Sequence, residues 1–126
     1  MHPLQNDNLS RPFLVFIRCI AWSLAVAIVV LSIVPPHLRP ETVLPHSLEH
    51  FAIFFVTGVA FSVGYATKRL RSMALLLIFS GVVEILQLLA PGRHARLTDF
   101  VLDALAVCAG AMTPLLAKQM IARPRS

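Results

Sequence analysis

The chain has 126 residues, 57% of them hydrophobic and only 13% charged, with a formal net charge of +5. Soluble domains are roughly 25% charged, and a water-exposed fold of this length needs more polar surface than this sequence offers. The composition argues against an ordinary soluble enzyme and for the bilayer as solvent; the basic balance suits anionic lipid headgroups and calls for no nucleic-acid partner.

The first apolar run, FLVFIRCIAWSLAVAIVVLSIV, covers residues 13–34. It is longer than the apolar core of a signal peptide, and Pro35-Pro36 follow it where a small-residue cleavage site would stand. An uncleaved spanning helix is expected. Arg18, near its start, can extend its charged head toward the terminal side. Trp22 lies well inside the span and is expected to pack. The linker VPPHLRPETVLPHS carries Pro35, Pro36, Pro40 and Pro45, which helix interiors avoid. His37, Glu41 and His46 read as solvated loop residues.

The second run covers 47–67, the third 72–90 and the fourth 98–119. Each approaches the roughly 20 residues that cross a bilayer, and none alternates as a membrane strand would. Backbone groups in lipid must bond within their own segment, so all four are expected to be helices. The basic turn TKRLRS joins the second and third spans. Pro91 and Gly92 stop the third, and Thr98 or Asp99 can cap the fourth. Pro114 is expected to kink the fourth span. The fold class is therefore all-α: a polytopic membrane protein built as a four-helix transmembrane bundle. Residues 1–126 read as one membrane domain. Cys19 and Cys108 fall inside spans and read as two buried thiols without a disulfide framework.

Four spans put both termini on one side. That side holds Arg11, Lys68, Arg69, Arg71, Lys118, Arg123 and Arg125, against Arg39, Arg93 and Arg96 on the other. By the positive-inside rule the termini are cytoplasmic. No polar layer comparable to the one described next is expected at the terminal end.

Polar residues gather below the opposite surface. Glu49 and His50 fall about one turn into the second helix. Glu84 lies about 9 Å below the end of the third at 1.5 Å per residue, with Gln87 on the same face. Asp99 and Asp103 share a face at the start of the fourth, continued by Ala106 and Gly110. Arg93 and Arg96 lie on the loop above. A charged group at the bilayer centre costs at least ~2.5 kcal/mol on insertion scales, so these groups should face one another inside the bundle. Gly58, Gly64, Gly81 and Gly110 permit close helix approach.

These residues carry a resemblance to the VanZ-like membrane proteins, over about residues 45–110. The family pattern is a His and an aromatic residue early in one helix, then Glu-x-x-Gln late in the next. A loop Arg follows, and Asp-x-x-x-Asn-x-x-Gly opens the last helix. Here His50-Phe51, Glu84 with Gln87, Arg93 and Asp99 match. His46-Ser47 replace the usual Asp-Lys, with Glu49 nearby. Asp103 stands for the Asn and Ala106 for the first Gly, while Gly110 is retained. The resemblance implies a multi-pass protein of the bacterial cytoplasmic (inner) membrane. It also implies a link to tolerance of the glycopeptide teicoplanin, which is associated with the founding member.

Three readings of the polar layer stand open. In one it binds or processes an outer-leaflet lipid or envelope precursor. His50 would act as acid or base and Glu84 as a partly desolvated proton carrier, with Asp99 beside them. Arg93, Arg96, Gln87, Asp103 and Glu49 would bind substrate. Glu84, Asp99 and Asp103 together offer the oxygen set of a magnesium or manganese ion, although no metal motif such as HExxH is present. In the second reading the same groups only lock the helices, through His50 with Glu84 and Arg93 with Asp99. Another membrane protein is then the partner. The third is a proton or ion relay. His94 reads as a surface residue. Phe51, Phe54, Phe55 and Phe61 read as packing or lipid contacts, and Thr57, Ser62 and Ser80 as bonded to their own helix backbones. No nucleophile elbow, P-loop or dinucleotide-binding pattern is present.

Overall fold

A computed structural model describes residues 10–90 and 96–123. Four α-helices follow one another: α1 Arg11–Ile33, α2 His46–Gly64, α3 Arg69–Leu89 and α4 Leu97–Ala122. Each is long and apolar enough to cross a membrane. The breaks follow the local chemistry. Pro12 sits in the first turn of α1, where a missing N–H costs nothing. Pro35 and Pro36 follow its end, and residues Pro36–Leu38 form a 3-10 turn. A second such turn, Ala66–Lys68, leads from α2 into α3. α4 continues through Pro114 to Ala122, leaving the Gly110 carbonyl without its usual helical donor.

The fourth helix starts earlier than its polar residues suggest. Arg96 occupies the N-cap position and makes no side-chain capping bond, so neither Thr98 nor Asp99 is the cap. Asp99 instead lies in the first turn, where a carboxylate favours the helix dipole.

In lipid, helices associate by close packing more than by expelling water, and α2 is the hub. It packs against α1, α3 and most extensively α4, whereas α1 makes no contact with α4 among the described residues. The α2–α4 seam is built on two glycines. A Cβ on Gly58 would lie 2.6 Å from the Val107 carbonyl oxygen, and one on Gly110 would run into the Phe55 carbonyl. Phe54, Val83, Ala106 and Val107 fill the interior, and Phe16, Val26, Ile78, Leu88 and Leu105 remain exposed for lipid. The inward stripe of α1 is Ala21, Ala25, Ile28 and Ser32. Cys19 falls off that stripe and is exposed, and Cys108 is half-buried. The expectation of two buried thiols is thus corrected: apolar character alone does not tell which side of a membrane helix faces protein.

The end of the bundle that carries both termini is also more polar inside than expected. Arg18 Nε donates to the Gly64 carbonyl at 2.7 Å, an orphan acceptor at the last residue of α2. The Arg18 guanidinium lies 4.6 Å from the Tyr65 ring centre. Trp22 Nε1 donates to the Tyr65 hydroxyl at 3.0 Å, and its ring meets Phe61 edge-on. Arg69 Nε donates to Ser62 Oγ, which donates to the Ala111 carbonyl, each at 2.7 Å. This relay ties α3 to α2 and α2 to α4. Ser62 therefore bonds across helices, whereas Thr57 and Ser80 do bond their own backbones, to the carbonyls of Ile53 and Leu77.

Candidate functional site

The opposite end brings the start of α2, the end of α3 and the start of α4 to one level. His50 sits in the second turn of α2. Its Nδ1 lies 3.4 Å from Asp103 Oδ1 and 3.5 Å from Oδ2. Asp103 is completely buried and the His50 side chain is 14% exposed. The expected pairing of His50 with Glu84 is therefore replaced by one with Asp103. An Asn at position 103 would offer the imidazole one acceptor oxygen; the carboxylate offers two and a charge. The His50 ring also faces two neighbours, His46 at 4.4 Å and Phe54 at 6.3 Å between ring centres. His46, read as a loop residue, is in fact the first residue of α2.

Glu84 and Gln87 are buried on the inner face of α3. Asp99, Asp103 and His50 are all close enough for their charges to act on Glu84. Among the described residues the Glu84 oxygens Oε1 and Oε2, Gln87 Nε2 and Asp103 Oδ1 have no hydrogen-bond partner of good geometry. The Arg96 backbone N–H approaches Glu84, but outside that geometry. Asp99 is half-buried and Arg96 exposed. Arg93 and His94 lie outside the described residues, so the expected Arg93–Asp99 pair does too.

Two clefts reach this layer. One, of about 250 Å³, lies between the end of α1, the linker and the start of α2, and is lined by Ser32, Arg39, Glu49, His50 and Phe54 among others. The other, of about 280 Å³, opens between α3 and α4 and is lined by Glu84, Arg96 and Phe100. Among the described residues no three His, Cys, Asp or Glu side chains gather as a metal-ligand set. The magnesium or manganese reading thus lacks a set of ligands in this layer.

Arg39 belongs to this end and carries no sequence motif. Its Nε donates to the Leu31 carbonyl at 2.9 Å, and Nη2 donates to the same oxygen. It satisfies an orphan carbonyl in the last turn of α1 while lining the His50 cleft. Burial pulls its guanidinium down from the usual value, and the Glu49 carboxylate opposes that shift. The only sequence sign of it is a lone cation between prolines, in LRPE.

The VanZ/LLP1 family pattern matches residues 6–118, nearly the whole chain. The chain belongs to the VanZ/LLP1 family. The match extends beyond residues 45–110, where the sequence motifs lie, to take in α1 and most of α4. With the four apolar helices, family membership makes this a multi-pass membrane protein. No match was found among curated proteins or solved structures. In this VanZ/LLP1 member the His, the Glu-x-x-Gln pair and the two Asp positions all come to one end of the bundle.

Proposed function

We propose that this VanZ/LLP1 member lies in the bacterial inner membrane with its termini in the cytoplasm, and that its His50 end binds an outer-leaflet lipid or lipid-linked envelope precursor. The observation that supports this is the set of buried polar atoms without partners. Buried polar groups are ordinarily hydrogen-bonded; among the described residues both Glu84 oxygens and Gln87 Nε2 have no well-formed partner, and Asp103 Oδ1 has only its 3.4 Å contact with His50. Hydroxyl or ammonium groups of a headgroup would meet Glu84 and Asp103, and a carbonyl or ring oxygen would meet Gln87. Arg39 and Arg96, one on each cleft, would take a phosphate, and Arg93 would add a further cation from the α3–α4 connection. A phosphate-bearing sugar headgroup combines these needs, and it is the chemistry of envelope precursors.

Asp103 holds His50 at Nδ1, which leaves Nε2 to take a proton from a ligand hydroxyl or return it. Glu84 and Asp99 would act beside it, and Glu49 would fix the position of Arg39. The resemblance that links the family to teicoplanin tolerance agrees with a precursor as ligand. A second reading has one observation in its favour: the His50–Asp103 contact joins α2 to α4, so the layer would lock the bundle and serve a protein partner.

The deciding experiment is native mass spectrometry of the protein in nanodiscs containing a polyprenyl-diphosphate sugar lipid. Retention of that lipid by the wild type, and its loss in Glu84→Gln with the thermal midpoint unchanged, is expected. If Glu84→Gln lowers the midpoint in step with function, the locking reading replaces this one.

A further inference from the structure

The end that carries the termini holds a third cleft, of about 400 Å³. Its wall is aromatic and aliphatic: Trp22, Phe61, Tyr65, Leu75, Leu76 and Phe79. Its mouth is cationic, with Lys68 and Arg71 beside Ser72 at the start of α3. From Arg71 to Phe79 the helix rises about 12 Å, so the apolar wall runs well into the membrane below two surface charges.

Charge at this end is one-sided. Among the described residues every acid lies at the other end: Glu41, Glu49, Glu84, Asp99 and Asp103. Lys68 and Arg71 are both exposed, and no acid among the described residues pairs with either. The remaining polar groups on the wall are largely committed. The Tyr65 hydroxyl accepts from Trp22 Nε1, which leaves its own proton to donate to an acceptor in the cleft. Arg18 covers the Tyr65 ring and, with Phe61 stacked on it, holds that wall in place.

We propose that this cleft is a binding site for an anionic membrane phospholipid. Lys68 and Arg71 hold the phosphate, Tyr65 and Ser72 reach the glycerol or headgroup oxygens, and one acyl chain lies along Trp22, Leu75, Leu76 and Phe79. A cation near an anionic bilayer adds about a fivefold preference, so a two-cation mouth favours anionic over zwitterionic lipid by more than tenfold.

Trp22 is the sole tryptophan; it lines the cleft and is 57% exposed, so the difference in quenching between two lipids, rather than quenching itself, reports occupancy. The protein is placed in vesicles containing phosphatidylglycerol or phosphatidylcholine with brominated acyl chains, and quenching of Trp22 is compared at equal mole fraction. Stronger quenching by the anionic lipid is expected, and the preference should vanish in Lys68→Gln/Arg71→Gln. The charge-keeping Lys68→Arg/Arg71→Lys variant should retain it, which separates loss of charge from loss of fold. Arg11→Gln/Arg123→Gln removes two cations from the same end but outside the cleft, and should leave it intact. Equal quenching by the two lipids would overturn the proposal. So would a preference that survives the first variant, or one that falls equally in the last, because the attraction would then be diffuse.

Discussion

The two ends of the bundle handle buried polarity in opposite ways. At the terminal end, among the described residues, buried Ser62 is bonded on both sides, by Arg69 and to the Ala111 carbonyl, and the more exposed Arg18 satisfies the Gly64 carbonyl. At the His50 end Asp103 and His50 share a long contact, and among the described residues Glu84 and Gln87 keep atoms without partners. A paired network stabilises and fixes helix positions, whereas an unpaired one costs stability that a bound group can recover. On the proposed reading, the terminal end holds the helices and the His50 end receives a ligand. Both ends hang on the same α2–α4 seam.

That seam gives the largest expected effect. Gly110→Val should abolish folding or insertion, because even the first side-chain atom runs into the Phe55 carbonyl and cores resist added volume. Gly81→Ala should be tolerated, since its Cβ would meet only a Phe100 side-chain atom at 3.5 Å. Yield of folded protein after detergent extraction reads both. If Gly110→Val behaves like Gly81→Ala, the seam does not couple the two ends.

The next effect sets the ends against each other. Ser62→Ala removes both bonds of the relay and should lower stability by about 1–3 kcal/mol, visible as a lower thermal midpoint. Glu84→Gln replaces a buried carboxyl that has no well-formed hydrogen bond among the described residues and should leave the midpoint unchanged or raise it, while function falls. Equal destabilisation by the two would erase the contrast between the ends. Asp103→Asn should have a smaller effect on the midpoint, because the amide oxygen still accepts from His50 and the residue then matches the usual family pattern. Asp103→Leu, which removes the acceptor, should cost more. The smallest effect is topological and concerns no energy at all. Single cysteines at Arg96 and Arg123, in a background with Cys19 and Cys108 replaced by Ala, are labelled in intact cells with a membrane-impermeant thiol reagent. Labelling at 96 and not at 123 is expected, and the reverse would invert the proposed orientation.

The four spans were legible because their signals are local. Apolar runs of spanning length lie between proline-rich or basic breaks, and the observed helices differ from them by a few residues at the ends. That the acids and the imidazole fall at one level followed from counting residues along helices of known rise. Their pairing did not follow. Whether His50 meets Glu84 or Asp103 depends on how each helix is rotated about its axis. In a bundle where α2 is apolar on most sides, nothing in the sequence fixes that rotation until Gly58 and Gly110 are known to face each other. The same gap hid Arg39, which acts through a backbone carbonyl and leaves no motif, and the inner polarity of the terminal end, where Ser62 looked like an ordinary helix serine.

The bound pair α2 and α4 also differ in length. α2 has 19 residues and α4 has 26, or about 28 Å against about 39 Å, while a bilayer's hydrocarbon core is about 30 Å thick. Since the two cannot slide without parting the glycines, α2 determines the membrane thickness that this protein suits. The surplus of α4 must tilt or emerge at the interface, with Met120 and Ile121 uncovered on it. A thicker bilayer would mismatch α2 before any other helix, and one of the two ends it would draw toward oil carries His50.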